Sequence, residues 1–184
     1  MRLSILPAAT LLALATACGS GSLSTSTAAK LIAPDYPAIA PLRVPRTFTV
    51  EKGTPRFADI QLIHAALQQE GSVDIQAKEE GAKVTYSYSL SPKAAKGSKP
   101  TADGFHVPAA YVEFVKVLGV ETRGSQARAT YQVKLTRPTP LFPIFQKKHP
   151  GAQIGQTKVR TAKFDKQDGK WGLLETDEKL DIKE

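Results

Sequence analysis

One segment of this chain carries a clear pattern for an α-helix, and the segments after it mostly alternate between apolar and polar residues. Thr54 is a good N-cap, Pro55 suits the first helical position, and Gly71 suits the residue just beyond the last turn. Between them, apolar residues recur at helical spacing and form one stripe, which needs another element to cover it. This combination predicts an α+β domain in which one long helix packs on a sheet. The stripe consists of Phe57, Ile60, Ile63, Ala66 and Leu67.

The other patterned segments predict a curved antiparallel β-meander, because they alternate with a period of two and short turns join them. Glu80-Gly81 and Asp168-Gly169 are turn sequences between two such pairs. The segment 111–121 is ambiguous, since Pro108 and Gly119 suit a helix whereas its valines favour a strand; we predict a strand. The strands are predicted near 48–51, 73–78, 84–90, 111–121, 127–135, 158–165 and 170–175.

The N-terminus has the parts of an export signal. Met1-Arg2 is positively charged, residues 3–14 are apolar but too short to span a bilayer, and small residues at 15–17 lead into Cys18, the only cysteine. This pattern resembles a bacterial lipoprotein signal peptide, whose lipobox ends in a cysteine. The resemblance implies cleavage before Cys18, a diacylglycerol on its sulfur and an acyl group on its amine. Gly19-Ser20, with no aspartate beside the cysteine, implies an outer-membrane lipoprotein that faces the periplasm.

An ordinary secretory signal is the alternative, because Ala15-Thr16-Ala17 also fits a cut that releases the protein into the periplasm without lipid. Removal of 17 residues leaves 167 of the 184, and the formal charge falls from +8 to +7 because only Arg2 is lost. A basic exported domain favours an envelope protein or an anionic envelope polymer as partner, and no nucleic acid. In the simpler interpretation, the excess positive charge only keeps the protein soluble and indicates no anionic partner.

The chain divides into four parts by composition. The stretch after the cysteine is rich in glycine and serine and then in proline, which predicts a disordered tether. Alternatively, its apolar residues Tyr36, Ile39, Leu42 and Val44 pack on the domain as an ordered arm. The predicted parts are the signal peptide 1–17, the lipidated cysteine with its tether 18–46, the α+β domain 47–176 and a charged tail 177–184.

A helix followed by an antiparallel meander, closed by a last hairpin with the sequence Gly169-Lys170-Trp171, is similar to the cystatin/NTF2-like architecture of small secreted bacterial lipoproteins. The resemblance covers the order of elements from about Thr47 to Glu175. It implies no particular activity, because such folds host enzymes, ligand carriers and interaction modules.

Catalytic and metal-binding patterns are missing from the sequence. His64 lies beside the apolar stripe of the helix, and neither Asp59 nor Glu70 stands at helical spacing to meet it, so we interpret it as a hydrogen-bonded structural histidine. His106 and His149 fall in predicted loops far apart. Neither a zinc nor a calcium motif is found, nor a nucleophile elbow or a phosphate-binding glycine loop. The sequence therefore predicts no catalytic residue, no metal and no cofactor.

Two sets of residues are candidate binding features. Basic side chains two apart share one face of a strand, so neighbouring strands would join them into a patch for an anionic partner; the alternative is a solvated sheet face. An apolar run within the proline-rich segment 137–156 is a candidate lid over a pocket. The patch consists of Arg128, Lys134, Lys158 and Arg160, and the lid of Leu141, Phe142, Ile144 and Phe145.

Three functions remain open at this point. The first is a non-catalytic, lipid-anchored periplasmic domain that binds an envelope protein or polymer. The second is a small-ligand or NTF2-like enzyme pocket between the helix and the curved sheet, with the apolar run as its lid. The third is an inhibitor or immunity lipoprotein that blocks a cell-wall hydrolase through an exposed loop such as 93–99 or 138–150.

Overall fold

The computed structural model describes residues 21–94 and 96–177. Cys18, the predicted signal peptide and all but the first residue of the predicted tail lie outside them. The described helices are α1 (Thr25–Ile32), α2 (Pro55–Glu70) and α3 (Phe142–Lys148), and a 3-10 turn covers Ala33–Asp35. The described strands are β1 (Ala38–Pro45), β2 (Thr47–Glu51), β3 (Val73–Glu80), β4 (Lys83–Leu90), β5 (Lys99–Thr101), β6 (Gly104–Arg123), β7 (Gln126–Thr136), β8 (Thr157–Gln167) and β9 (Lys170–Thr176).

The strands form two antiparallel sheets. The larger has the order β1-β6-β7-β8-β9, with β5 also paired to β6, and the smaller has the order β2-β4-β3. The long strand β6 leaves its register with β7 twice, between Phe114 and Lys116 and between Val117 and Gly119. Such bulges bend a strand and increase its twist, so the larger sheet curls. The predicted α+β class and the curved antiparallel sheet are confirmed, although the strands divide into two sheets.

The helix α2 begins and ends where its capping residues predict. Thr54 Oγ1 accepts a hydrogen bond from the Phe57 amide at 3.2 Å, and Gly71 ends the helix with a φ of 77°. The expectation of one long helix is nevertheless wrong, because the structure has three helices of 8, 16 and 7 residues within the described part of the chain. The two short helices lie in segments whose prolines and small residues do not form a helical pattern, so the sequence did not predict them.

The segment 18–46 was expected to be a disordered tether, and its described residues are part of the fold instead. Ser24 caps α1 by accepting a hydrogen bond from the Thr27 amide, and Ala28 and Ile32, one helical turn apart, are fully buried. After the 3-10 turn, β1 pairs with β6 from Ala38 to Pro45. Its prolines are accommodated because β1 is an edge strand of the larger sheet, and the register shifts beside Pro41. The ordered-arm alternative describes this segment correctly.

The predicted strands and turns of the remaining chain are confirmed. Residues 111–121 belong to β6, as the valines indicated. The last hairpin turns at Asp168-Gly169, where both residues have positive φ (51° and 79°), as a two-residue type I′ turn requires.

Two apolar clusters fill the fold. The first lies between the smaller sheet, α2, α3 and the first half of β6, and contains Leu67, Val84, Val107 and Leu141, all with almost no exposed surface. The second lies under α1, which packs on one face of the larger sheet. We call this the inner face; it carries Ala129, Tyr131, Val133, Ala162 and Phe164. The opposite, outer face carries the alternate residues of β7 and β8.

Candidate functional site

A cleft of about 640 Å³ lies between the inner face of the larger sheet and the segment that follows α3. Its floor is apolar and comes from both sides: Val112, Val133 and Leu135 of the sheet, and Phe145 and Ala152 of the α3 segment. Val133, Phe145 and Ala152 are buried, so these side chains are fixed by packing. The volume falls within the roughly 300–1,000 Å³ of sites that hold small molecules.

Basic groups surround this apolar floor. Lys158 and Arg160 are two residues apart on β8 and therefore project from the same face, whereas Lys148 and His149 come from the end of α3. No aspartate or glutamate is found among the described residues that line the cleft. The described part of the cleft therefore combines apolar side chains with basic ones.

The wall formed by the α3 segment is fixed at both ends. Before the helix, the Thr139 hydroxyl donates to the Pro108 carbonyl of β6 at 2.8 Å. After it, the Gly155 amide donates to the Leu135 carbonyl of β7 at 2.8 Å, and the Leu135 amide donates to the Gln156 carbonyl at 2.9 Å. Because hydrogen bonds hold the segment to two strands, the cleft is formed before any ligand arrives.

His149 lies where the basic groups meet. It is the C-cap residue of α3, and its ring centroid is 4.5 Å from that of Phe145. Burial lowers the pKa of His149, and the positive charges of Lys148 and Lys158 lower it further. These effects favour the uncharged form of the ring, so the basic character of the cleft comes from the lysines and the arginine.

The predicted four-residue patch is wrong, because its two pairs lie on opposite faces of the sheet. Lys158 pairs with Val133 and Arg160 with Tyr131, so both project from the inner face. Arg128 and Lys134 alternate with those partners along β7 and project from the outer face. The strands are neighbours, as the patch required, but their register separates the charges. Only the half on β8 contributes to the cleft.

The predicted lid is a part of the core. Leu141, Phe142 and Phe145 are buried in the first apolar cluster, and Ile144 packs against it. Of these four residues, Phe145 alone lines the cleft. The apolar run therefore forms a wall, because a movable lid would have to expose these side chains to water.

One of the three open functions placed a pocket between α2 and the smaller sheet, and there His64 and Gln61 of α2 contact Tyr86 and Tyr88 of β4. His64 Nε2 lies 2.8 Å from the Tyr88 hydroxyl, and its ring packs edge-on against Tyr86 with centroids 4.3 Å apart. The Gln61 amide donates to the Tyr86 hydroxyl. Burial lowers the pKa of His64, and burial together with Tyr86 raises that of Tyr88 to about 12. His64 is thus a buried, hydrogen-bonded histidine, as its place beside the apolar stripe indicated.

The described residues contain no group of three or more histidine, cysteine, aspartate or glutamate side chains arranged to hold a metal ion. His106 lies on β6 but does not line the cleft, and burial, Lys99 and Arg43 lower its pKa. No helix in 21–94 or 96–177 is long and apolar enough to cross a membrane.

Lys148 and His149 line the cleft, although no sequence motif marked them as site residues. Their signal was present in the sequence, since Lys147-Lys148-His149 directly follows the apolar run of α3. A short apolar segment ending in basic residues can form one wall of an amphipathic site. The element opposite such a segment is determined by tertiary structure, which a local sequence pattern does not predict.

Comparison of the chain with models of protein families, with curated proteins and with solved structures finds no match to any of them.

Proposed function

We propose that this protein is a non-catalytic binding domain of the bacterial cell envelope, anchored by lipid on Cys18, which holds an anionic ligand in the cleft beside α3. The observation that carries this proposal is the meeting of Lys148, Lys158 and Arg160 around an apolar floor. Charged groups of one sign, with no acid among the described residues of the cleft, favour a ligand of the opposite sign.

The cleft also argues for binding over catalysis. A general acid or base needs a group of suitable pKa within hydrogen-bond reach of the reacting atoms, and an orienting partner. Among the described lining residues, His149 is the only one with an imidazole, carboxyl or thiol group, and its ring contact is with the apolar Phe145. Its neighbours Lys148 and Lys158 are cations, which cannot accept the proton of an imidazole N–H.

The start of the described chain supports an anchored orientation. Leu23 is buried, its amide donates to Thr122 Oγ1, and the Gly21 carbonyl accepts from the Trp171 indole at 3.0 Å. The chain therefore enters beside the hairpin turns β6–β7 and β8–β9. Leu23 lies five positions after Cys18, a distance of at most roughly 18 Å, so a lipid on Cys18 would hold these turns close to the membrane.

The cleft lies toward the other end of the same strands. Its floor residue Val133 stands seven residues along β7 from Gln126 at the hairpin end, which is about 23 Å of strand. An anchored domain would thus present the cleft to the periplasm, away from the bilayer that holds it. We also propose a cystatin/NTF2-like fold for this domain, because the order of elements from α2 to the last hairpin agrees with it.

Photocrosslinking in intact cells tests the proposal. A photoreactive amino acid replaces Gln156, which is exposed and lines the cleft, or Lys134, which is exposed on the outer face. We expect an adduct from the Gln156 position and none from the Lys134 position, identified by mass spectrometry. Equal labelling at both positions, or none at Gln156, would refute binding in the cleft. Fractionation of the same cells tests the anchor, with the native protein expected in the outer membrane and Cys18→Ala expected to leave it.

A further inference from the structure

The apolar floor distinguishes a fully hydrophilic anion from an anion that also carries an apolar group. A phosphate ion or a fully hydrophilic polyanion gains from the basic groups alone and leaves the floor uncovered. Val112 and Leu135 are only partly buried, so their exposed apolar surface gains only if an apolar group covers it. A cleft with basic groups and an apolar floor therefore favours a ligand that has both a negative charge and an apolar part.

The basic groups occupy particular places around that floor. Lys158 and Arg160 lie along one strand, about 7 Å apart in rise, and Lys148 comes from the α3 segment. The lowered pKa of His149 agrees with this geometry, since Lys148 and Lys158 both act on its ring. A head group of one or two negative charges can therefore contact cations from both walls.

The size and the position of the cleft further restrict the ligand. About 640 Å³ is in the range for one small molecule, and the cleft is preformed because hydrogen bonds hold its wall to β6 and β7. It lies toward the opposite end of β7 from the hairpin beside which Leu23 enters. Such a site takes a single molecule from solution more readily than a lipid still embedded in the bilayer of the anchor.

The geometry points to a monomeric, single-chain anionic lipid as the ligand, its chain on Val112 and Leu135 and its head group between Lys148, Lys158 and Arg160. This inference rests on the proposed function, since it names the chemical class of the ligand of the same cleft. It implies that the domain carries or senses free acyl chains in the periplasm.

Titration calorimetry with alkanesulfonates tests the inference, because their charge is constant across the accessible pH range. Butane-, hexane- and octanesulfonate are titrated, below their micelle concentrations, into the full mature chain carrying Cys18→Ala. We expect affinity to rise by up to about fourfold per added methylene. We also expect 1-octanol and inorganic sulfate to bind at least about tenfold more weakly than octanesulfonate.

Two charge variants serve as a matched pair. Lys158→Glu is expected to weaken octanesulfonate binding by about tenfold, whereas Lys134→Glu, on the neighbouring strand but the outer face, is expected to leave it unchanged. Circular dichroism verifies that both variants fold. If sulfate and every sulfonate bind equally and Lys158→Glu weakens them all, the lipid inference is overturned while an anion-binding cleft stands. If neither charge variant changes binding, or no probe binds, both proposals fail.

Discussion

Replacing Ile32 by alanine is expected to lower the free energy of unfolding by about 2–5 kcal/mol. The side chain is fully buried on the inner face of the larger sheet, in the same cluster as Ala28 and Tyr131. Its removal takes apolar surface out of the core and leaves a cavity that the sheet beneath cannot fill. Chemical denaturation of the mature chain, followed by tryptophan fluorescence from Trp171, measures the change.

The control for this substitution is Lys30→Ala in the same helix. Lys30 is exposed, and alanine is the best helix former, so we expect its effect to stay within about 0.5 kcal/mol. An Ile32→Ala variant as stable as the parent would mean that α1 does not pack on the sheet. The disordered tether expected from composition would then be the correct description of residues 18–46.

Replacing Phe164 by alanine is expected to cost about 3–5 kcal/mol. Phe164 is 1% exposed and lies on β8 in the cluster under α1, four residues from Arg160 and on the same face. Because the substitution removes a whole aromatic ring from the second core, it also loosens the strand that carries Lys158 and Arg160. We therefore expect weaker octanesulfonate binding in Phe164→Ala as well as lower stability.

Val159→Ala on the same strand is the matched control. Val159 is 59% exposed, so the loss of two methyl groups there is expected to change stability by less than about 0.5 kcal/mol. A small effect of Phe164→Ala, comparable with that of Val159→Ala, would contradict both the burial of the ring and the register assigned to β8.

The features that the sequence predicted correctly depend on local signals. The helix α2 has its cap at Thr54 and its left-handed end at Gly71, and the last hairpin has its turn at Asp168-Gly169. Each signal is complete within a few residues, because a cap or a two-residue turn is decided by the backbone conformations that those residues favour. The assignment of 111–121 to a strand succeeded because several β-branched residues fall there together.

The features that it missed depend on contacts between distant segments. In α1 the buried residues are Ala28 and Ile32, which follow a run of serines and threonines, and only packing on the sheet identifies them as a buried face. The prediction of the basic patch was wrong because it depended on the register between β7 and β8, and a shift of one residue moves every side chain of a strand to the other face. Val133 and Lys158 meet in the cleft although 25 positions separate them in the chain.

The measurement that tests the binding cleft most directly is the NMR titration of the His149 ring, assigned by the loss of its signal in His149→Gln. We predict that the pKa of His149 lies below the ordinary 6.5 in the free protein, because burial and the positive charges of Lys148 and Lys158 disfavour the imidazolium. Saturation with octanesulfonate should raise this pKa, since a nearby anion favours the imidazolium, and by linkage the probe should bind more tightly as the pH falls through it. A His149 pKa that saturating octanesulfonate leaves unchanged would contradict the account.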